Sequence, residues 1–488
     1  MKQMERRPGA RGCLAWSRLC LPIMFALTVP ARAQTDAQSL GAGLSEVLSL
    51  ATFGVVSTDG QAARVIREGD DYRVTLPMKG ITESDDRSIV VVGTQSSGGA
   101  WDIKSITFPS TTTYPPRIAG APPTIVTIGR QDIHGHIDPS FASPSHYVAA
   151  LENVTTTSGT ATEHMRQSVR DYAVTGDLLP APGGLLTFTS NGGAHDWHMG
   201  VDAGAKGGFD ISARELTMNA ALDGLDRNKA TLLTQRLRSL MAQAKAQSGE
   251  AASAIDNDAA RRSVRAILDD AVGVLTSING HETLHDVQVD TAAGLAGGAK
   301  RLALTMSGEA AGQVVNVMMD MELDELSILA VPAPYAPYVP RHAALRYQIK
   351  GAPSRQIVDL MRAGLEPNAD PTLLGAQAMK LLANPDTNMG IDPFSFDTGP
   401  MNVNGTARLF TLPSGQFGGH VHISATGVDA LTAQIQSQPE MQQALPMLLL
   451  AKGLGKPDGK GLTWDIDFGD GPPKVNGIPL GQLAAPKR

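Results

Sequence analysis

The sequence predicts an α+β protein: a large curved antiparallel β-sheet, or more than one, with helices packed on one face and an inserted helical hairpin. Three observations predict it. Apolar and polar residues alternate in one stretch after another from Tyr72 to Phe468, the period of a strand with one packed and one wet face, and sheets of that kind are usually antiparallel. Only a few stretches space their apolar residues for a helix. The 488 residues also include 51 glycines and 31 prolines, which supply turns and interrupt long helices.

The elements follow in chain order. Residues 1–33 read as an export signal: Lys2, Arg6, Arg7 and Arg11 come first, an apolar run at 19–29 follows, and Ala31-Arg32-Ala33 offers small residues to a signal peptidase. Cleavage is expected before Gln34. The apolar run is much shorter than the ~20 residues that span a bilayer, so no transmembrane anchor is expected after cleavage. Ser17-Arg18-Leu19 before Cys20 lacks the small residues of a lipoprotein signal. Both cysteines, Cys13 and Cys20, fall in this leader, so the exported chain must be held by its core without disulfides.

Residues 34–225 are expected to form a β-rich N-terminal portion, with alternation at Tyr72, Val74 and Leu76 and again at Trp197, Met199 and Val201. Residues 226–280 are expected as the helical hairpin. Leu233, Leu237, Leu240, Met241 and Ala244 form one stripe. Val264, Ile267, Leu268, Ala271, Leu275 and Ile278 form the other, with Gly280 as its C-terminal cap. A Ser/Ala/Asp-rich loop at 246–257 joins the two. Residues 281–340 form a β-rich segment with the longest alternation, Val315, Val317, Met319, Met321 and Leu323. It ends in a Pro/Tyr-rich stretch at 331–340 that suits neither a helix nor a central strand, and marks a boundary or a long loop. Residues 341–488 form an α+β portion. Its strands carry Leu345, Tyr347 and Ile349, then Val421, Ile423 and Ala425, then Leu462, Trp464, Ile466 and Phe468. One helix opens on Asp370 and Pro371 and carries Leu374, Ala378, Leu381 and Leu382. Another carries Leu431 and Ile435, and a third runs from about Pro439 to Gly453. A strand followed closely by a helix recurs at 216–241, 345–363 and 420–435, with a period too irregular for a solenoid.

Candidate chemistry is sparse. The net charge of −7, more acidic still without the basic leader, argues against nucleic acid as a partner. The sharpest motif is His281-Glu282-Thr283-Leu284-His285, which matches the H-E-x-x-H zinc signature. That chemistry needs both His one helical turn apart, with the Glu polarising a metal-bound water; Glu309 is the candidate third ligand. Here Asn279-Gly280 precedes the motif and strand-like Asp286-Val287-Gln288-Val289-Asp290 follows it. On a strand, positions i and i+4 lie ~13 Å apart. His134 and His136, like His420 and His422, would share one strand face and could take a transition metal only if further ligands converge; Val421 and Ile423 pointing inward make the second pair a plain exposed face. His195-Asp196-Trp197-His198 has no activated serine or cysteine beside it. No G-x-S-x-G elbow is present, the glycine-rich stretch at 453–460 has the wrong spacing for a phosphate loop, and Asp465, Asp467 and Asp470 lack the glutamate of a calcium loop. No cofactor is expected. Met318, Met319 and Met321 on one strand, and Met441 and Met447 on a C-terminal helix, fill a core or line an adaptable apolar groove for acyl chains.

The ending carries a further signal. Leu448-Leu449-Leu450-Ala451-Lys452-Gly453-Leu454-Gly455, then Gly461-Leu462-Thr463-Trp464-Asp465-Ile466, then Val475-Asn476-Gly477-Ile478-Pro479-Leu480 resembles the C-terminus of secreted Gram-negative bacterial proteins of unknown function, distantly similar to AsmA-type envelope β-taco proteins. The resemblance implies an envelope location and a large curved sheet with helices, and it brings no site residues. Together these readings point to an exported, soluble periplasmic protein that is non-enzymatic, binding or scaffolding with an apolar groove for lipid or an envelope protein. The alternative is a zinc-dependent hydrolase using His281, Glu282 and His285.

Overall fold

A computed structural model describes residues 63–480, apart from 78–87, 97–99, 115–121, 138–143, 161–162, 203, 205–206, 248–257, 292–295, 329–330, 367, 383–386, 413–416 and 470. The expected export signal, with Cys13 and Cys20, lies outside the described residues. The chain divides into two compact units, one of residues up to 192 with 224–274, the other of 193–223 with 275 onward.

The first unit holds β1 (Arg64–Glu68), β2 (Asp71–Pro77), β3 (Ser88–Gln95), β4 (Trp101–Thr107), β5 (Thr111–Tyr114), β6 (Thr124–Thr127), β7 (Arg130–Ile137), β8 (Pro144–Gly159), β9 (His164–Pro180) and the first part of β10 (Leu185–Asp202). All pairings are antiparallel, in the spatial order β1, β2, β3, β4, β7, β8, β9. The β5–β6 hairpin joins β8 beyond the end of β7. Alternation on β2, β3 and β4 sends Val74, Leu76, Ile89, Val91, Trp101 and Ile103 into one core, each at most 5% exposed. Tyr72 meets Trp101 edge to face, ring centroids 5.4 Å apart, a favoured aromatic geometry.

This unit also holds the helical hairpin, α1 (Arg227–Gln247) and α2 (Asp258–Ala271). The Asp226 carboxylate accepts from the N–H groups of Asn228 and Lys229 at 2.9 and 3.1 Å, capping α1. The second helix stops at Ala271 rather than at the expected Gly280. Gly273 takes the left-handed conformation, φ 71°, which ends a helix without a Cβ clash. Leu275 lies beyond the helix, and Ile278 and Gly280 belong to the next strand; Ile278 falls on the helical stripe only because it comes three residues after Leu275.

The second unit begins with the rest of β10 and continues through β11 (Gly208–Asp226), β12 (Ser277–Thr291), β13 (Ala296–Ala311), β14 (Val314–Ile328), β15 (His342–Pro353), β16 (Asn388–Asp397), β17 (Asn402–Thr411) and β18 (Phe417–Thr426), then β19 (Lys456–Asp458), β20 (Gly461–Gly469), β21 (Gly471–Val475) and β22 (Ile478–Pro479). From β11 to β18 each strand pairs antiparallel with the next. The following strand β20 pairs β18 on one edge and β19 and β21 on the other. Two helices, α3 (Ser354–Gly364) and α4 (Pro371–Leu382), interrupt the β15–β16 connection, and α5 (Val428–Ser437) and α6 (Leu445–Leu454) the one after β18. Asp370 caps α4 as its sequence predicts, accepting from the Thr372 N–H at 2.8 Å. The Pro-rich stretch is a loop between paired neighbours β14 and β15. Gln434 of α5 holds it by donating to the Pro334 carbonyl and accepting from the Tyr338 hydroxyl, both at 2.8 Å. Asn476 and Gly477, at φ 51° and 83°, form the two-residue turn between β21 and β22 that Asn-Gly favours. Among the described residues no helix is long and apolar enough to cross a membrane.

Left-handed residues break the alternation on three strands. Asp196 on β10, Asp286 on β12 and Glu325 on β14 all have φ near +50°. On β12 the ladder keeps its register past Asp286, with His285 opposite Arg301 and Val287 opposite Ala299. The apolar positions nonetheless change parity, from Ile278 and Leu284 before it to Val287 and Val289 after it. Neighbouring strands switch at the same row: Leu216 and Met218 against Ile211 and Ala213 on β11, Met321 and Leu323 against Leu326 and Ile328 on β14. The apolar side of the sheet therefore changes face there. Asn153 on β8 of the first unit, φ 52°, marks the same change, from Tyr147, Ala149 and Leu151 to buried Val154 and Thr156.

Candidate functional site

Register builds two opposed surfaces in the second unit. The polar one carries His281, Thr283 and His285 on β12. Their partners are Thr305, Ala303 and Arg301 on β13, then Asp320, Glu322 and Asp324 on β14, then Arg346, Ala344 and His342 on β15. Opposite charges placed directly across strands attract. The Arg301 guanidinium donates to Glu322 at 2.8 Å and Asp324 at 3.0 Å, and the His342 Nδ1 lies 2.7 Å from Asp324. The His342 hydrogen bond, reinforced by Arg301, holds the Asp324 carboxyl below its ordinary range. Arg346 Nη2 meets Asp320 at 2.6 Å. A cavity of about 760 Å³ opens beside this row, lined among others by His285, Lys300, Arg301, Asp324, Glu325 and Arg341. Lys300 pairs with Glu325 at 3.3 Å, so cations and carboxylates there largely neutralise one another, and the lining holds no hydroxyl or thiol nucleophile.

The zinc motif falls on this sheet as a strand, in β12. His281 and His285 share the polar face but stand ~13 Å apart by strand rise. Glu309 lies opposite Ser277, another four residues along in the other direction. Both ring nitrogens of His281 are engaged, Nδ1 with the Thr305 hydroxyl at 2.8 Å and Nε2 with the Thr283 hydroxyl at 2.9 Å. Glu282 projects to the opposite face, between Met218 and Leu304 in the register. Two faces and such spans put one shared ion out of reach. Among the described residues no three His, Cys, Asp or Glu side chains are grouped to hold a metal.

The His-x-His pairs are individually partnered. The Nδ1 atoms of His420 and His422 on β18 face Asp467 and Asp465 directly across on β20, at 2.8 and 2.7 Å. In the first unit His136 faces Asp102 at 2.7 Å and His134 its own neighbour Asp132 at 3.1 Å. His146, which the sequence did not single out, sits opposite His136 and meets Asp177 on β9 at 2.8 Å. His198 Nε2 meets Asp210 at 2.7 Å, while Asp196 beside it is the left-handed residue of β10. Cross-strand His–Asp pairing is thus a recurring feature of the wet faces. Its sequence signal is faint, because the partners lie on different strands.

The other surface is apolar. It carries Leu216, Met218, Ala220 and Leu222 on β11, then Ile278, Gly280 and Leu284 on β12. It continues with Leu302, Leu304 and Met306 on β13, Val317, Met319, Met321 and Leu323 on β14, and Leu345, Tyr347 and Ile349 on β15. Much of it is open to water: Met306 is 51% exposed, Ile278 42%, Val317 and Met321 37% each. Glu282 is the one charged side chain among these positions. Glu282 is itself exposed, yet its apolar surroundings weaken its hydration and push its carboxyl above the ordinary value.

No family model, no curated protein and no solved structure matches the chain.

Proposed function

We propose that this is an exported, periplasmic, non-enzymatic protein of the cell envelope that binds or scaffolds, taking the acyl chains of a lipid on the apolar face of β11–β15. One observation carries the reading: that face runs over five strands with Glu282 as its one charged side chain, and leaves Ile278, Met306, Val317 and Met321 open to water. Large contiguous apolar surface mostly marks a binding site. Thioethers line its centre, and their flexible, polarisable side chains fit chains of varied shape. The polar face, by contrast, spends its charged groups on one another. The C-terminal resemblance to AsmA-type envelope proteins and the leader at 1–33 support the location.

The test is native mass spectrometry on protein purified from the membrane fraction of its source. Wild type is expected to carry lipid, and the double variant Met306→Asp, Met321→Asp to lose it while remaining folded by circular dichroism. A lipid-free wild type would remove the groove and leave an envelope protein as the partner. The exported chain is expected to begin at Gln34, which N-terminal sequencing reads directly.

A further inference from the structure

We infer that Glu282 is an anchor for the amine of a cationic amphiphile whose hydrocarbon tail lies on the surrounding apolar strands. The inference rests on the acyl-binding reading above and narrows it to one headgroup chemistry. It starts from register. Met218, Glu282, Leu304, Met321 and Leu345 form one transverse row, each the direct partner of the next across β11 to β15. Along β12 the same-face neighbours of Glu282 are Gly280 and Leu284, so apolar or side-chain-free positions flank it in every direction.

Glu282 is exposed, but its apolar neighbours weaken the hydration of its carboxylate and supply no counter-charge. None of the described ion pairs reaches it: Arg301, Arg346 and His281 all lie on the other side of the sheet. Charge complementarity selects the occupant. An anionic or neutral amphiphile laid over this row would cover Glu282 without pairing it, whereas an ammonium donates to it in a charge-assisted hydrogen bond. Gly280 adds room: a Cβ built there would meet nothing within 4 Å, so a headgroup can approach the carboxylate along the strand. From Glu282 the row runs over Leu304 and Met321 to Leu345, a track of about 14 Å at the usual strand spacing, for the tail.

The experiment is isothermal titration of lipid-stripped exported protein with three probes below their micelle concentrations: dodecylammonium, dodecanol and dodecanoate. Wild type is expected to bind dodecylammonium about tenfold or more tighter than dodecanol, the scale of one charge-assisted hydrogen bond. Glu282→Gln keeps the shape and removes the charge, and is expected to bring dodecylammonium to the dodecanol affinity while leaving dodecanol unchanged. Glu309→Gln, on the opposite face of β13, controls for the acidity of the whole chain and is expected to preserve the preference. Equal binding of all three probes to wild type, or a preference that survives Glu282→Gln, would overturn the anchor and leave the apolar face as a lipid surface. Binding of none of them would overturn both.

Discussion

The core of β2–β4 and the open face of β11–β15 are written in the same binary pattern and end in opposite conditions. In the first, Val74, Leu76 and Ile89 are fully buried and Val91 and Trp101 nearly so. In the second, Ile278, Met306, Val317 and Met321 remain open to water. Alternation dictates which face of a strand is apolar, but what covers that face depends on other parts of the chain. Phe108 and Tyr114 pack against the first core. An apolar face that folding leaves uncovered contributes little to stability and is free to serve binding.

The largest effect expected from this contrast is in stability. Trp101→Ala removes a buried indole and its contact with Tyr72, and is expected to cost about 3–5 kcal/mol. Met306→Ala removes a side chain of comparable apolar character from the open face and is expected to stay within about 0.5 kcal/mol. Urea unfolding of both variants measures the gap. A Met306→Ala cost equal to that of Trp101→Ala would mean that the two surfaces do not differ as described.

Much of this arrangement was legible in the sequence. The strands at Tyr72–Leu76, Val315–Leu323 and Leu462–Phe468, the hairpin of helices and the Asp370 cap all follow from local period and local chemistry. The strand-to-helix recurrence marks three places where helices are inserted between neighbouring strands. The end of α2 is less legible: Leu275 and Ile278 extend the helical spacing of the stripe, and the left-handed Gly273 is what stops the helix before them. The polar site was harder to see. Asp102 and His136, or Asp324 and His342, become neighbours only through strand pairing. The sequence did hold one unused signal for the change of face: the apolar parity shifts on β11, β12 and β14, with Asp286 or Glu325 at the break. Asp tolerates the left-handed conformation well, and Glu less so.

That break offers the next test. Glu325 holds φ 49° inside a strand, where any side chain is strained. Glu325→Val places a β-branched residue in that conformation and is expected to destabilise by about 1–3 kcal/mol. Glu325→Gly relieves the strain at the cost of the Lys300 pair, and is expected to be neutral within about 1 kcal/mol. Thermal unfolding of the pair sharpens the comparison between the two ends of each strand. If valine and glycine behaved alike, the left-handed residue would not be what lets the apolar side change face.

The smallest effects are those of pH, and they carry opposite signs on the two faces. Asp324 has a lowered folded pKa through His342 and Arg301, so its contribution is full above the ordinary aspartate value of 3.8 and is lost as pH falls through the lower folded value. Asp324→Asn is therefore expected to be less stable than wild type at neutral pH, by about 0.5–1 kcal/mol for so exposed a pair, with the difference closing on acidification below about pH 4. Glu282 has a raised folded pKa, so its ionised form costs stability above that pKa and the cost fades as pH falls through it towards 4.5. Glu282→Met is expected to match or exceed wild type at neutral pH by less than about 1 kcal/mol, after allowance for solvent screening, and to lose that advantage as wild type becomes protonated. Denaturant titrations across pH 3 to 8 would show the two variants departing from wild type in opposite directions. Departures of one sign would mean that Glu282 has a cationic partner within the folded chain, and that its face is not the charge-poor surface the register describes.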